Sequence, residues 1–361
     1  MSDDVRQKVS TCLEKISLSG VEGKSVADFA SMAEEGGKVL LRVELGFPCK
    51  LIKDALKQEI QAAFEVAGIK GADIEVVQNI LAVMPQNSQA SVSGVKNIVA
   101  VASGKGGVGK STTSTNIALA LAYEGASVGI LDADIYGPSQ PQMLGVGDKR
   151  PEMYGPNMIE PIEAHGIKVV SMGNLITENT PMVWRGPMVS GALQQLLQNT
   201  HWVDLDYLIV DMPPGTGDIQ LTLSQAVPVS GAVIVTTPQD IALLDAKKGI
   251  EMFRKVNIPV MGVVENMATH TCSNCGHKEA IFGEEGGQRL ADEFGVDLLG
   301  MLPLQMDIRV QTDAGKPPMV VDPNSEVSQS YRRIARSLAA SLWQQALSGE
   351  SKGPEISFSD D

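Results

Sequence analysis

The chain has 361 residues, long enough for two domains at about 150 residues each. Hydrophobic residues at 43% and charged residues at 20% exclude a wholly disordered chain. Aromatics at 4% leave little material for a base-stacking platform, and a formal net charge of −14 disfavours nucleic acid and anionic lipid, while a small phosphate site built from backbone N–H groups stays open.

Residues 1–84 read as a small α+β unit. KVLLRVELGF (38–47) alternates like a strand, CKLIKDALKQEIQAAFEVAG (49–68) has helical apolar spacing that stops at Gly68, and ADIEVVQNILAV (72–83) reads as a second strand. Residues 85–95 are small and polar without periodicity, a linker by composition. From 96 to 348 strand and helix signals alternate. Strand patterns fall at 96–103, 127–134, 165–172, 207–213, 231–238, 259–266 and 296–303. Helical patterns fall at 111–124, 187–200, 240–256, 284–294 and 325–348. Short Val/Ile-rich strands separated by helices predict an α/β fold with a mostly parallel sheet and helices on both faces. Residues 349–361 read as an acidic, mobile tail. No apolar run approaches 18 residues and no leader pattern opens the chain, so a cytoplasmic protein with no membrane contact is expected.

SGKGGVGKST (103–112) contains the pattern G-x-x-x-x-G-K-[ST], with Gly104, Gly109, Lys110 and Ser111, between a predicted strand and a predicted helix. That context makes it a P-loop. The backbone of Gly104, Lys105, Gly106, Gly107, Val108 and Gly109 can wrap phosphates, and the helix N-terminus adds partial positive charge. Lys110 is expected to reach the β- and γ-phosphates of ATP, Ser111 to bind Mg²⁺, and Thr112 completes the site. The fold expected is therefore a P-loop NTPase preceded by a small α+β domain. Two further anchors follow. LDADIYGP (131–138) places Asp132 and Asp134 on one side of a strand end, and YLIVDMPPGTGD (207–218) ends an apolar strand on Asp211, a Walker B-type carboxylate for Mg²⁺. Gly215 is a candidate N–H donor to the γ-phosphate.

Lys105 makes the loop K-G-G-x-G-K-[ST], which resembles the deviant Walker A motif of the MinD, ParA and nitrogenase iron protein group. The resemblance implies that Lys105 reaches the nucleotide of a partner subunit in an ATP-sandwich homodimer. It also implies that Asp132 supports the Mg²⁺ and water shell, that Asp134 orients the attacking water, and that Asn266 touches the adenine edge.

Cys272 and Cys275 stand in THTCSNCGHK (269–278), two thiolates at C-x-x-C spacing. Two thiolates do not complete a four-ligand site. A symmetric dimer could supply two from each chain, His270 or His277 could join on one chain, or the pair could be a thiol–disulfide couple. Spacing alone leaves these open. Cys12 and Cys49 have no such neighbour, and four cysteines are too few for a disulfide scaffold.

The stretch from about 96 to 340 resembles the Mrp/ApbC family of iron–sulfur cluster carrier ATPases, through SGKGGVGKST, GILDADIYGPSQP, MVWRGPM, DYLIVDMPPGTGD, VTTPQDIALLDAKKG and VENMATHTCSNCG. The resemblance implies a 4Fe–4S cluster bridged by Cys272 and Cys275 of two subunits, slow Mg-dependent ATP hydrolysis coupled to cluster loading or transfer, apo iron–sulfur proteins as recipients, and a cluster donor machinery. It also marks Arg185 as a family feature. Three rival readings fit the sequence less well. A MinD- or ParA-like positioning ATPase needs a basic membrane helix or a basic DNA-binding surface, which the SFSDD ending and the charge of −14 do not offer. An electron-donating reductase takes its cluster cysteines from two separated loops. A zinc-stabilised ATP-binding adaptor has little need of the Asp132, Asp134 and Asp211 set.

Overall fold

A computed structural model describes residues 3–350, apart from 19–20, 22–23, 37, 86–90, 136, 176–185 and 273. Arg185 and most of the tail lie outside the described residues.

The N-terminal unit opens with helix α1 (Asp3–Leu13), which its polar composition hid from the sequence reading. Strands β1 (Ala30–Glu35) and β2 (Lys38–Leu45) form an antiparallel hairpin, α2 (Lys53–Val66) crosses over, and β3 (Asp73–Gln78) pairs parallel to β2. Val39, Leu41, Val43 and Leu45 alternate inward from β2 against Leu56, Ile60 and Phe64 of α2. Hydrophobic alternation and helical spacing therefore build this layer as the sequence implied, with β3 ending five residues short of the predicted strand.

Strand β4 (Val95–Ala102) begins the larger unit and runs into the P-loop and α3 (Lys110–Tyr123). β5 (Val128–Asp132) is followed by the single-turn helix α4 (Gln140–Met143), the hairpin β6 (Glu152–Tyr154) and β7 (Met158–Glu160), then β8 (Ile162–Ala164) and β9 (Ile167–Ser171). After α5 (Met172–Leu175) and α6 (Gly186–Asn199) come β10 (Leu205–Asp211) and α7 (Asp218–Ala226). β11 (Gly231–Thr236), α8 (Asp240–Lys255) and β12 (Val260–Glu265) follow. A small hairpin, β13 (His270–Thr271) and β14 (Lys278–Glu279), precedes α9 (Gly286–Phe294) and β15 (Leu298–Met301). Helices α10 (Met306–Asp313), α11 (Pro318–Val321) and α12 (Glu326–Glu350) close the chain.

The large sheet has the order β15-β12-β11-β4-β10-β5-β9-β8. Its pairs are parallel except β8 with β9. Both faces are buried. Val99, Val101 and Ile209 face α3 and α12, while Ile98, Ala100, Leu208 and Val210 face the layer holding Leu193, Leu223, Ile250 and Phe253. The period-2 alternation thus splits one apolar run between two cores, the expected signature of a parallel sheet under two helical layers. The strands β6 to β8 were not foreseen, because they are three residues each, too short to show a period.

The N-terminal unit docks at the amino end of the large sheet. Lys50 N–H donates to the Glu124 carbonyl just after α3, and the Asn97 side chain at the start of β4 clamps Leu81 O and Val83 N–H, both at 2.9 Å. Trp343 of α12 lies against Phe29 and Phe47, with ring centroids 4.1 and 5.7 Å away. A Cβ at Gly46 would fall 2.0 Å from the Trp343 ring, so this position has room only for hydrogen.

Candidate functional site

The P-loop, Asp132, Asp134 and Asp211 meet at the carboxyl end of the large sheet, in the crevice where open α/β sheets bind ligands. Gly107 and Gly109 have φ of +81° and +83°, the left-handed conformation that turns a loop's N–H groups inward. Lys110 opens α3 and is buried. Its ammonium lies 2.6 Å from Asp211 Oδ1 and 3.2 Å from the Ser111 hydroxyl. Ser114, one turn further along α3, donates to the same Asp211 oxygen at 2.8 Å.

Asp132 is closed off from water and accepts from several donors. Backbone N–H groups of Ser139 and Gln140 donate to Oδ2 at 2.9 and 3.0 Å, the Ser171 hydroxyl at 3.2 Å, and Asp134 N–H donates to Oδ1 at 3.1 Å. Burial first, and the neighbouring Asp211 second, push its carboxyl above the usual carboxylate range. Asp134 is also buried and accepts the Gly137 N–H at 3.3 Å. Two buried carboxylates beside a serine hydroxyl make an all-oxygen donor set. That set fits a hard cation such as Mg²⁺, which would be held by Ser111 with Asp132 and Asp211 close by.

Other expected residues are engaged with the protein itself. Gly215 N–H donates to the Ser103 carbonyl at 3.0 Å. The Asn266 amide donates to the P-loop carbonyl of Val108 at 2.8 Å, and a Cβ on Gly109 would sit 2.1 Å from that amide nitrogen. Ser103 Oγ donates to the Lys105 carbonyl, while none of the hydrogen bonds or ion pairs seen among the described residues engages the Lys105 ammonium.

Cys272 and Cys275 sit in the turn of the β13–β14 hairpin, Cys272 half-buried and Cys275 exposed. Cys272 N–H donates to the His277 carbonyl and Gly276 N–H to the Cys272 carbonyl, both at 2.9 Å. The backbone N–H groups of Cys275 and Asn274, then the Cys275 thiol, draw the Cys272 thiol below the ordinary cysteine range. Thiolate character favours metal ligation. Among the described residues no third His, Cys, Asp or Glu joins this pair in a metal-binding group. His270 is tied by its backbone to Leu304, with Nδ1 buried and without a hydrogen-bond partner among the described residues. The hairpin begins four residues after Asn266. It is stitched down by Ala268 N–H to the Leu302 carbonyl and Leu304 N–H to the Thr269 carbonyl. Cys49, by contrast, is fully buried, and burial pushes its thiol up to about 11.

The sequence reading missed Gln140, Ser114 and Ser171. The signal for Gln140 was present. Ser139 followed by Gln140 and Pro141 is a helix-start pattern just beyond the strand-end aspartates.

This arrangement defines a P-loop NTPase of the MinD/ParA type. The family model for the ParA-type NUBPL iron-transfer P-loop NTPases matches residues 94–339, and the chain belongs to that family. An iron–sulfur cluster carrier protein of Pseudomonas fragi is 63% identical over 272 residues, covering 74% of this chain and 94% of that protein. The mouse iron–sulfur cluster transfer protein NUBPL is 51% identical over 256 residues, covering 70% and 80%. The solved structure of an Archaeoglobus fulgidus nucleotide-binding protein in complex with ADP is 35% identical. It superimposes with a TM-score of 0.58 over 66% of this chain and 93% of that one. The cell-division ATPase MinD of Pyrococcus furiosus, at 22% identity and a TM-score of 0.52 over 67% of this chain and 98% of that one, shares the fold.

Proposed function

We propose that this protein is an ATP-hydrolysing iron–sulfur cluster carrier that holds a 4Fe–4S cluster between two copies of the chain and passes it to apoproteins. One observation carries the reading. Two cysteine thiols, one of them acidified, are presented on an anchored hairpin that begins four residues after Asn266, whose amide touches the P-loop, and no third ligand accompanies them among the described residues. A second chain would complete a four-sulfur set. The names of the related carrier proteins favour iron–sulfur over zinc as the cargo.

In this reading the P-loop backbone and Lys110 hold the phosphates, and Asp134 orients the attacking water. Mg²⁺, when bound, would neutralise charge on the β- and γ-phosphates. Lys105 would grip the nucleotide of the partner copy, so that nucleotide state sets the geometry of the two cysteine hairpins. The chemistry is slow gating of a cargo. The recipients are apo iron–sulfur proteins, and a cluster-assembly system in the same compartment, the cytoplasm, supplies the cargo. No described helix is long and apolar enough to cross a membrane.

The test is iron, acid-labile sulfide and zinc per chain, in protein purified without oxygen, beside the double variant Cys272→Ser, Cys275→Ser. About two iron and two sulfide per chain, lost in the variant, support the reading. About half a zinc per chain without sulfide overturns it in favour of a structural zinc adaptor.

A further inference from the structure

Gln140 is fully buried, and each polar atom of its side chain is committed to the nucleotide site. Nε2 donates to Asp211 Oδ2 at 2.9 Å and to the Ser111 carbonyl at 3.1 Å. A carboxylate and a carbonyl are pure acceptors, which fixes the nitrogen on that side. Oε1 accepts the Thr115 hydroxyl at 2.6 Å, one turn along α3 from Ser111. The Gln140 backbone N–H meets Asp132 Oδ2. A single residue therefore ties together the P-loop helix, the end of β10 and the end of β5.

We propose that Gln140 is a positioning residue for the nucleotide reaction, locking the Asp211 and Asp132 carboxylates to the backbone of Ser111 as one rigid unit. The need is physical. Asp211 Oδ1 is held by Lys110 and Ser114, but Oδ2 is fixed by Gln140. Asp132 and Asp211 end the neighbouring strands β5 and β10, paired in register and both buried, so an orienting contact is needed on each. An amide dipole on one and a backbone N–H on the other hold both without adding charge.

This proposal rests on the nucleotide-hydrolysis reading, so the first readout does not depend on hydrolysis. Full-length Gln140→Met keeps the length and loses the donor and acceptor. Gln140→Glu keeps an acceptor for Thr115, loses the donor to Asp211 and sets a second carboxyl against it. Binding of a non-hydrolysable ATP analogue is titrated with Mg²⁺, and hydrolysis is then followed against ATP. Both variants are expected to need roughly tenfold more Mg²⁺ for tight binding, in line with the ~10–100-fold cost of losing a group that orients metal ligands. kcat, read well below the melting temperature, is expected to fall about as far with KM for ATP little changed, while melting falls modestly because buried polar partners lose their bonds. An unchanged Mg²⁺ dependence in either folded variant overturns the proposal. So does a loss of kcat that tracks only a loss of melting temperature. If the parent protein binds the analogue but hydrolyses no ATP, the hydrolysis reading fails while the Mg²⁺ titration still decides the role of Gln140. Should Gln140→Met not fold, Gln140→Glu and Thr115→Val carry the same comparison.

Discussion

The Cys272 thiol is held below the ordinary cysteine range by two backbone N–H groups, whereas burial drives the Cys49 thiol up to about 11. Because thiolate is the nucleophile, alkylation rate follows the ionised fraction. For Cys272 that fraction rises at lower pH than for a free cysteine, whose pKa is about 8.5. In metal-free protein at pH 7.5, iodoacetamide is expected to modify Cys272 before Cys49, with peptide mass spectrometry reading the order. Cys49 should react only after denaturant is added. The sign for stability is opposite to that of an acidified group. Cys49 is neutral when folded, so it costs nothing at neutral pH and destabilises only as pH climbs from the ordinary value of about 8.5 toward about 11. Equal labelling of the two would mean the hairpin does not hold Cys272 as described. At this scale the sequence was generous. The P-loop, the three aspartates and the cysteine pair were all legible, because each is a local pattern whose chemistry depends on spacing. Gln140 was less so. Its partners Asp211 and Thr115 lie 71 and 25 positions away, and only the fold brings them within reach.

Helix α12 joins two parts of the molecule that the sequence presented as separate. Its first turn pairs Glu326 with Lys278 of the cysteine hairpin, and Trp343 packs on the N-terminal unit. Those two positions are about 25 Å apart at 1.5 Å per residue. Midway, Arg332 and Arg336 close on the buried Glu124 at 2.7 and 3.1 Å. The helix was readable from its apolar periodicity, but its docking was not, since nothing local to Gly46 signals a tryptophan ring 297 positions on. The strands β13 and β14 stayed hidden for a different reason: a two-residue strand carries no period, and its geometry comes from backbone bonds to Leu302 and Leu304. Trp343→Ala is expected to cost about 3–5 kcal/mol in urea unfolding, the usual cost of emptying a large aromatic site. Limited proteolysis should then cut between the N-terminal unit and β4 well before it cuts the large sheet. ATP hydrolysis should stay within about twofold, because Trp343 touches no part of the nucleotide site. A variant as resistant as the parent protein would mean that the clamp at Asn97 and Glu124 holds the unit without α12.

Across the whole molecule the large sheet separates two ends with different duties. The amino end carries the N-terminal unit, through Asn97, Glu124 and Trp343. The carboxyl end carries the P-loop, the aspartates and, four residues beyond Asn266, the cysteine hairpin. If a second copy shares nucleotide and cluster as proposed, it would approach the carboxyl end and leave the N-terminal unit facing away. Lys105 lies on that end, its backbone pinned by Ser103 and its ammonium free of partners among the described residues. If it grips the nucleotide of the partner copy, its loss should spare binding and remove association. With ATP and Mg²⁺ the parent protein is expected to shift from monomer to dimer mass in sedimentation. Lys105→Ala should bind the ATP analogue within about threefold of the parent affinity, since in the proposed reading the P-loop backbone and Lys110 would supply the phosphate contacts on its own chain. It should stay a monomer at concentrations where the parent protein is dimeric. Dimerisation equal to the parent's would remove the cross-subunit role of Lys105 and leave the cysteine hairpins as the contact that joins two copies.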